Sequence, residues 1–223
     1  FDAATRAQTG SLALGRSARG VAVSANGARV LVTRFLSPRD QAEVWDVAAG
    51  AMTLTRTLRV PKFGGDDNRD GTAAGRGALN YVTSVVIAPD GASAWVAGTK
   101  PNVERGLLFG PDLDQDNTVR SAIAQIDLGT NQLLRSIDLD NSDSPRALAF
   151  SPLGDYLFVT LQGSNEVVVL DALLFESASG LGSFVTRLGT GAAPQGVLVD
   201  PATGRAFVHD FMGRGLTALE TDA

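Results

Sequence analysis

The chain contains no cysteine and a single histidine in 223 residues. Without cysteine, disulfides, thiolate metal sites, thiol nucleophiles and a covalently attached c-type haem are excluded within these residues. One histidine, His209, cannot build a His-based metal cluster, and no Ser-His-Asp grouping is indicated. We read His209 as an ordinary polar residue at a strand end; the alternative is a proton-transferring or haem-facing role. Of the nineteen basic residues only Lys62 and Lys100 are lysines, which we read as coding bias. The net charge of −5 argues against a nucleic-acid partner, since phosphate binding relies on clustered Lys and Arg. No apolar run approaches the roughly 20 residues of a membrane-spanning helix.

What remains is a globular composition, 44% apolar and 19% charged, that repeats itself. Aligned copies begin VAVSANGARVLVT at Val21, VVIAPDGASAWVA at Val85, LAFSPLGDYLFVT at Leu148 and VLVDPATGRAFVH at Val197. Each is an apolar run, a turn and a second apolar run. A third run follows, ending in Trp45-Asp46, Ile126-Asp127, Leu170-Asp171 or Leu219-Glu220. A repeat of about 40–50 residues with four short strands is the signature of a β-propeller blade. The turns Ser-Ala-Asn-Gly, Ala-Pro-Asp-Gly, Ser-Pro-Leu-Gly and Asp-Pro-Ala-Thr-Gly supply a glycine for positive φ, and three of them a proline that presets φ.

The predicted fold is therefore all-β, one propeller domain over residues 1–223 with four blades visible. Strands A to D are expected near 20–24, 29–33, 43–47 and 54–60, then 84–88, 93–97, 121–127 and 132–137. The third blade is expected at 146–151, 156–160, 166–171 and 183–188, and the fourth at 196–200, 205–209 and 216–219 without a D strand. A β-sandwich is the alternative, but it predicts irregular strand spacing. Phe1-Asp2 aligns with Trp45-Asp46, so a D strand is expected near 11–14. That leaves two readings open: a window onto a longer propeller, or a four-bladed ring closed by this strand.

Extra residues fall between strands D and A of the first blade (61–82) and B and C of the second (98–120). In an up-and-down blade these connections emerge on one face, where binding sites concentrate. A C–D extension at 172–182 lies opposite. Both insertions carry spaced acids. Asp66, Asn68 and Asp70 precede Gly71, as in the first half of a calcium loop, and Asp112, Asp114 and Asp116 repeat the spacing. Neither has the twelfth-position Glu, because Gly77 and Ile123 stand there. Bound Ca²⁺ and a solvated acidic loop are the two readings. Arg19, Arg146 and Gln195 share one aligned position before strand A, a candidate channel-mouth site for a carboxylate or anionic surface; pairing with nearby acids is the alternative. Asp46, Asp127 and Asp171 are expected to accept turn N–H bonds.

On PRALAFSPLGDYLFVTLQGSNEVVVLD (145–171), and more loosely on 194–220, the chain resembles the bacterial YVTN-type β-propeller repeat family. The resemblance implies a surface or periplasmic binding module of about seven blades. DNTVRSAIAQIDL (116–128) and FVHDFMGRGLTALE (207–220) further resemble propellers joined to di-haem cytochrome c peroxidase-like regions. No CxxCH occurs here, so a redox domain would be fused or a partner. The leading expectation is an exported, non-catalytic binding module, periplasmic or at the cell surface, whose insertion face takes a protein or small anionic ligand. The alternatives are the propeller part of a haem-containing, peroxidase-like redox enzyme and a calcium-dependent propeller hydrolase such as a lactonase.

Overall fold

In the computed structural model, residues 2–38, 40–63, 76–102, 118–139, 142–174 and 184–220 are described. They form fifteen strands in four antiparallel meanders. Blade 1 comprises β1 (Ala18–Val23), β2 (Arg29–Arg34), β3 (Gln41–Ala48) and β4 (Thr53–Pro61). Blade 2 comprises β5 (Asn80–Ile87), β6 (Ser93–Pro101), β7 (Val119–Asp127) and β8 (Leu133–Leu139). Blade 3 comprises β9 (Pro145–Phe150), β10 (Tyr156–Leu161), β11 (Glu166–Asp171) and β12 (Phe184–Gly189). Blade 4 has three strands, β13 (Pro194–Val199), β14 (Ala206–Asp210) and β15 (Gly215–Leu219). The first strands β1, β5, β9 and β13 lie side by side in succession and form the inner wall. The β-sandwich alternative is set aside, because each sheet contains only its own consecutive strands.

The A–B turns take the geometry their residues demand. Gly27, Gly91, Gly154 and Gly204 all have φ between 68° and 78°, a region costly for a side chain with Cβ. Gly27, Gly91 and Gly154 each donate an N–H to a carbonyl three residues back, and Gly204 donates to Asp200 four back.

Three separate apolar cores fill the gaps between blades. Leu31, Val44, Leu58 and Val60 meet Val82, Val85, Val96 and Ala124 between blades 1 and 2. Trp95, Ile123 and Ile137 meet Leu148, Leu157, Val159 and Val168 between blades 2 and 3. Phe158, Val167 and Val169 meet Val199, Ala206 and Val208 between blades 3 and 4. Both faces of an inner blade are thus buried, which explains the continuous apolar runs of β6, β10 and β11. Each fully buried side chain of this size contributes about 1.5–3 kcal/mol.

Residues 2–7 reproduce the C–D turn of blade 2. Asp2 Oδ1 accepts the Thr5 N–H at 2.6 Å, as Asp127 Oδ1 accepts the Thr130 N–H at 2.7 Å. The D strand expected at 11–14 pairs with no strand among the described residues. It lacks a C strand beside it; instead Gly10 lies against Met52 and Gly15 against Trp45. Nor does it close onto blade 4, whose β15 is a sheet edge.

Of the strand-ending acids, Asp127 and Asp171 accept turn N–H groups as expected. Asp46 does not. In blade 1 the ladder runs on to the Ala48–Thr53 pair, so Asp46 sits inside the strand. There it pairs with Arg29 at 3.3 Å and Arg56 at 3.0 Å.

Candidate functional site

Every inner strand begins with the same irregularity. Ser17, Tyr81, Ser144 and Ala193 have φ of 69°, 49°, 55° and 56°, and the A–B register shifts immediately afterwards in each blade. Such a bulge turns the next side chains toward the axis and breaks the ladder. In blades 1 and 3 a threonine on the B strand repairs the break. Gly20 N–H donates to Thr33 Oγ1 at 2.8 Å and Ala147 N–H to Thr160 Oγ1 at 2.9 Å. Thr33 Oγ1 then donates across the blade gap to the Val82 carbonyl at 2.9 Å.

Two residues after each left-handed position stand Arg19, Thr83, Arg146 and Gln195. The structure brings all four to one cavity of about 250 Å³. Arg19, Arg146 and Gln195 hold the aligned position that the repeat predicts, and Thr83 holds the same place in blade 2. The Thr83 hydroxyl bridges to blade 3, within hydrogen-bond reach of the Pro145 carbonyl at 3.1 Å and the Arg146 carbonyl at 3.0 Å. Arg146 Nε donates to Gln162 Oε1. The Arg19 guanidinium lies 5.4 Å from the Phe35 ring centroid. Among the described residues neither arginine has a carboxylate within ion-pair distance, and no acid lines the cavity. Two guanidinium groups on one inner wall make a local positive field in a chain of negative net charge.

A second cavity of about 390 Å³ adjoins it, sharing Arg146, and is lined by Phe35, Tyr81, Thr99, Val119, Ser144 and Pro145. Phe35 and Tyr81 meet edge to face at 5.2 Å. The necks of both insertions stand at this end of the blades. Phe63 bridges Gly77, Lys100 Nζ lies 4.5 Å from the Phe63 ring centroid, and the Asn102 N–H donates to the Thr118 carbonyl. Below them Lys100, fully buried, contacts Asp138 at 2.6 Å, and Arg120 contacts the same carboxylate at 3.3 Å. Burial drives the Asp138 carboxyl pKa upward, against the pull of the two cations.

A larger cleft of about 790 Å³ opens between the A–B turns of blades 1 and 2, at the other end. In its wall Asp46 is held by Arg29 and Arg56, and Asp90 accepts the Ala92 N–H of its own turn.

The acids Asp66, Asn68, Asp70, Asp112, Asp114 and Asp116 lie outside the described residues, as do most of the C–D extension's. Among the described residues no group of three or more His, Asp or Glu side chains is placed to hold a metal ion. No described helix is long and apolar enough to cross a membrane. His209 is exposed on the outer face of blade 4, 6.4 Å from the Phe211 ring.

No protein-family model matches the sequence, and no curated protein matches it. Solved structures do. Kuenenia stuttgartiensis hydrazine synthase superposes with a TM-score of 0.71 at 16% identity, over 90% of this chain and 58% of that one. The Cps50 (Swd1) β-propeller domain of Myceliophteria thermophila gives 0.55 at 13% identity, over 92% of this chain and 54% of that one. The Dos1 propeller gives 0.54 at 9% identity, over 86% and 38%. The chain thus spans little more than half the length of the first of these, and at such identities the likeness establishes the fold alone. Taken with the four radial sheets, it makes this chain a run of β-propeller blades.

Proposed function

We propose that this chain is a non-catalytic binding module whose site is the axial cavity at the insertion end. The observation that carries the reading is the convergence of Arg19, Thr83, Arg146 and Gln195, one residue from each blade, on a polar cavity without a carboxylate. A fold that repeats backbone geometry around an axis delivers side chains from sequence-distant positions to one point. Residues there are free to serve a ligand because the cores lie between the blades.

In this reading the protein is an exported, periplasmic or surface member of the YVTN-type family, and its blades form an arc of a ring of about seven. The outer face of blade 4 supports the larger ring. Leu198 and Leu216 stand 68% and 67% exposed there, on the face that in blade 3 packs through Phe158, Val167 and Val169 on a neighbour. Calcium at Asp66, Asn68 and Asp70, or at Asp112, Asp114 and Asp116, would stiffen the insertions that rim the site. A second reading, the propeller part of a haem-containing redox enzyme, rests on the resemblance at 116–128 and 207–220.

The test is ligand-dependent stabilisation. Thermal melts against a panel of small anions and monovalent cations, with chelator present to keep calcium off the loops, should show anions alone raising the midpoint, and Arg19→Gln/Arg146→Gln should abolish the shift. A panel in which cations stabilise equally, or in which the double variant responds unchanged, overturns the assignment. Calorimetric calcium titration with Asp66→Ala and Asp112→Ala tests the loops; unaltered heats would remove them.

A further inference from the structure

We infer that the two adjoining cavities form one bipartite site for a small organic acid with a flat apolar or aromatic body. This rests on the binding-module reading above and assigns its ligand class. The carboxylate end belongs to Arg19 and Arg146, whose guanidinium groups lack acidic partners among the described residues. Planar guanidinium forks match a carboxylate better than an ammonium does. Gln195 adds an amide with no hydrogen-bond partner among the described residues, on the same cavity wall.

The body of the ligand belongs to the adjoining cavity, and Arg146 lines both. An anion held at Arg146 therefore carries its attached group toward Phe35 and Tyr81. The two rings already meet edge to face, and the Arg19 cation sits over Phe35. An aromatic body gains ring–ring contact beyond area burial.

Tyr81 carries the argument furthest. It holds φ of 49°, where a bulky side chain is a conformational outlier. The turn itself does not need the ring: Ser17, Ser144 and Ala193 hold the same position with small side chains. Nor is the ring placed there for core packing, since Tyr81 is 49% exposed. A strained, exposed aromatic beside two arginines without acidic partners is the expected form of a recognition residue.

Calorimetric titration of the full chain with benzoate, acetate and benzamide tests this. Benzoate should bind at least tenfold more tightly than acetate, and benzamide should give no measurable heat. Arg146→Gln and Arg19→Gln should each weaken benzoate about tenfold or more, in line with charge-assisted hydrogen bonds. Tyr81→Gly, which relieves the backbone while deleting the ring, should weaken benzoate about tenfold and leave acetate unchanged. A thermal midpoint at or above wild type would show that Tyr81→Gly remains folded. If acetate and benzoate bind alike through the arginines, the bipartite inference fails while the axial anion site stands. If neither anion binds, both fail.

Discussion

Gly20 and Thr83, on the inner strands of adjacent blades, approach so closely that a Cβ on Gly20 would lie 2.5 Å from the Thr83 carbonyl oxygen. Backbone meets backbone there, with no side chain between to yield. Gly20→Ala should therefore lower unfolding free energy by about 1–3 kcal/mol through overpacking, read as a reduced urea midpoint. Gly50→Ala is the control, since a Cβ there meets nothing within 4 Å. Equal midpoints for the two variants would dismiss the close approach.

The hydroxyls at the bulges offer a graded pair. Thr160→Val removes the acceptor of the Ala147 N–H and should cost about 1–3 kcal/mol for an unsatisfied amide. Thr33→Val loses the same acceptor function for Gly20 and also the bond to the Val82 carbonyl across the blade gap. It should cost more than Thr160→Val in parallel denaturant titrations. The reverse order would show that the inter-blade bond contributes nothing.

The turn acids set the acid limb of stability. Asp127 is held below its usual value of 3.8 by N–H donation from Thr130 and then Gly129. A carboxyl depressed on folding stabilises the native state above its unfolded pKa, and that contribution is lost as pH falls through the folded value. Asp127→Ala should thus be less stable than wild type at pH 7, with the difference shrinking below about pH 4. A gap that stays constant down to pH 2 would remove the charge from the explanation.

How much of this could be read from residues alone divides along a physical line. Strand positions were legible because apolar runs and Gly-containing turns are local signals, and every predicted strand from blade 1 onward has its observed counterpart. The common placement of Arg19, Arg146 and Gln195 on one cavity is legible from their repeat position, whereas Thr83 in the same column carries no charge to mark it. The bulges were not legible: Ser17, Tyr81, Ser144 and Ala193 give no glycine to announce positive φ. Phe35 and Tyr81 meet only because the end of a B strand and the start of the next blade's A strand converge across a blade gap. Lys100 reads as a surface residue until tertiary packing seals it against Asp138. Asp46 departs from the turn role expected of it because its hairpin turns two residues later than those of blades 2 and 3.

One column of the repeat makes a sharp comparison. Val167, fully buried between blades 3 and 4, and Leu216, 67% exposed, share an aligned position. Val167→Lys should abolish cooperative folding, since an unpaired charge in that core has no compensation. In these 223 residues by themselves Leu216→Lys should change unfolding free energy by less than about 0.5 kcal/mol, as for ordinary surface changes, whereas a further blade seated on that face would make it severe. Circular dichroism melts of both decide it, and a severe loss from Leu216→Lys would mean that the blade 4 face is covered in solution.

Because each apolar core is owned jointly by two blades, the described blades are not equal shareholders in the whole. A lesion in blade 2 or blade 3 wounds two cores at once, whereas one in blade 4 wounds a single core. Tolerance to change should accordingly run along the array rather than follow depth from the surface, in the manner of nearest-neighbour coupled repeats. Whole-blade gain or loss then becomes the natural unit by which such a chain can vary, since it adds or removes one seam and leaves the others as they were.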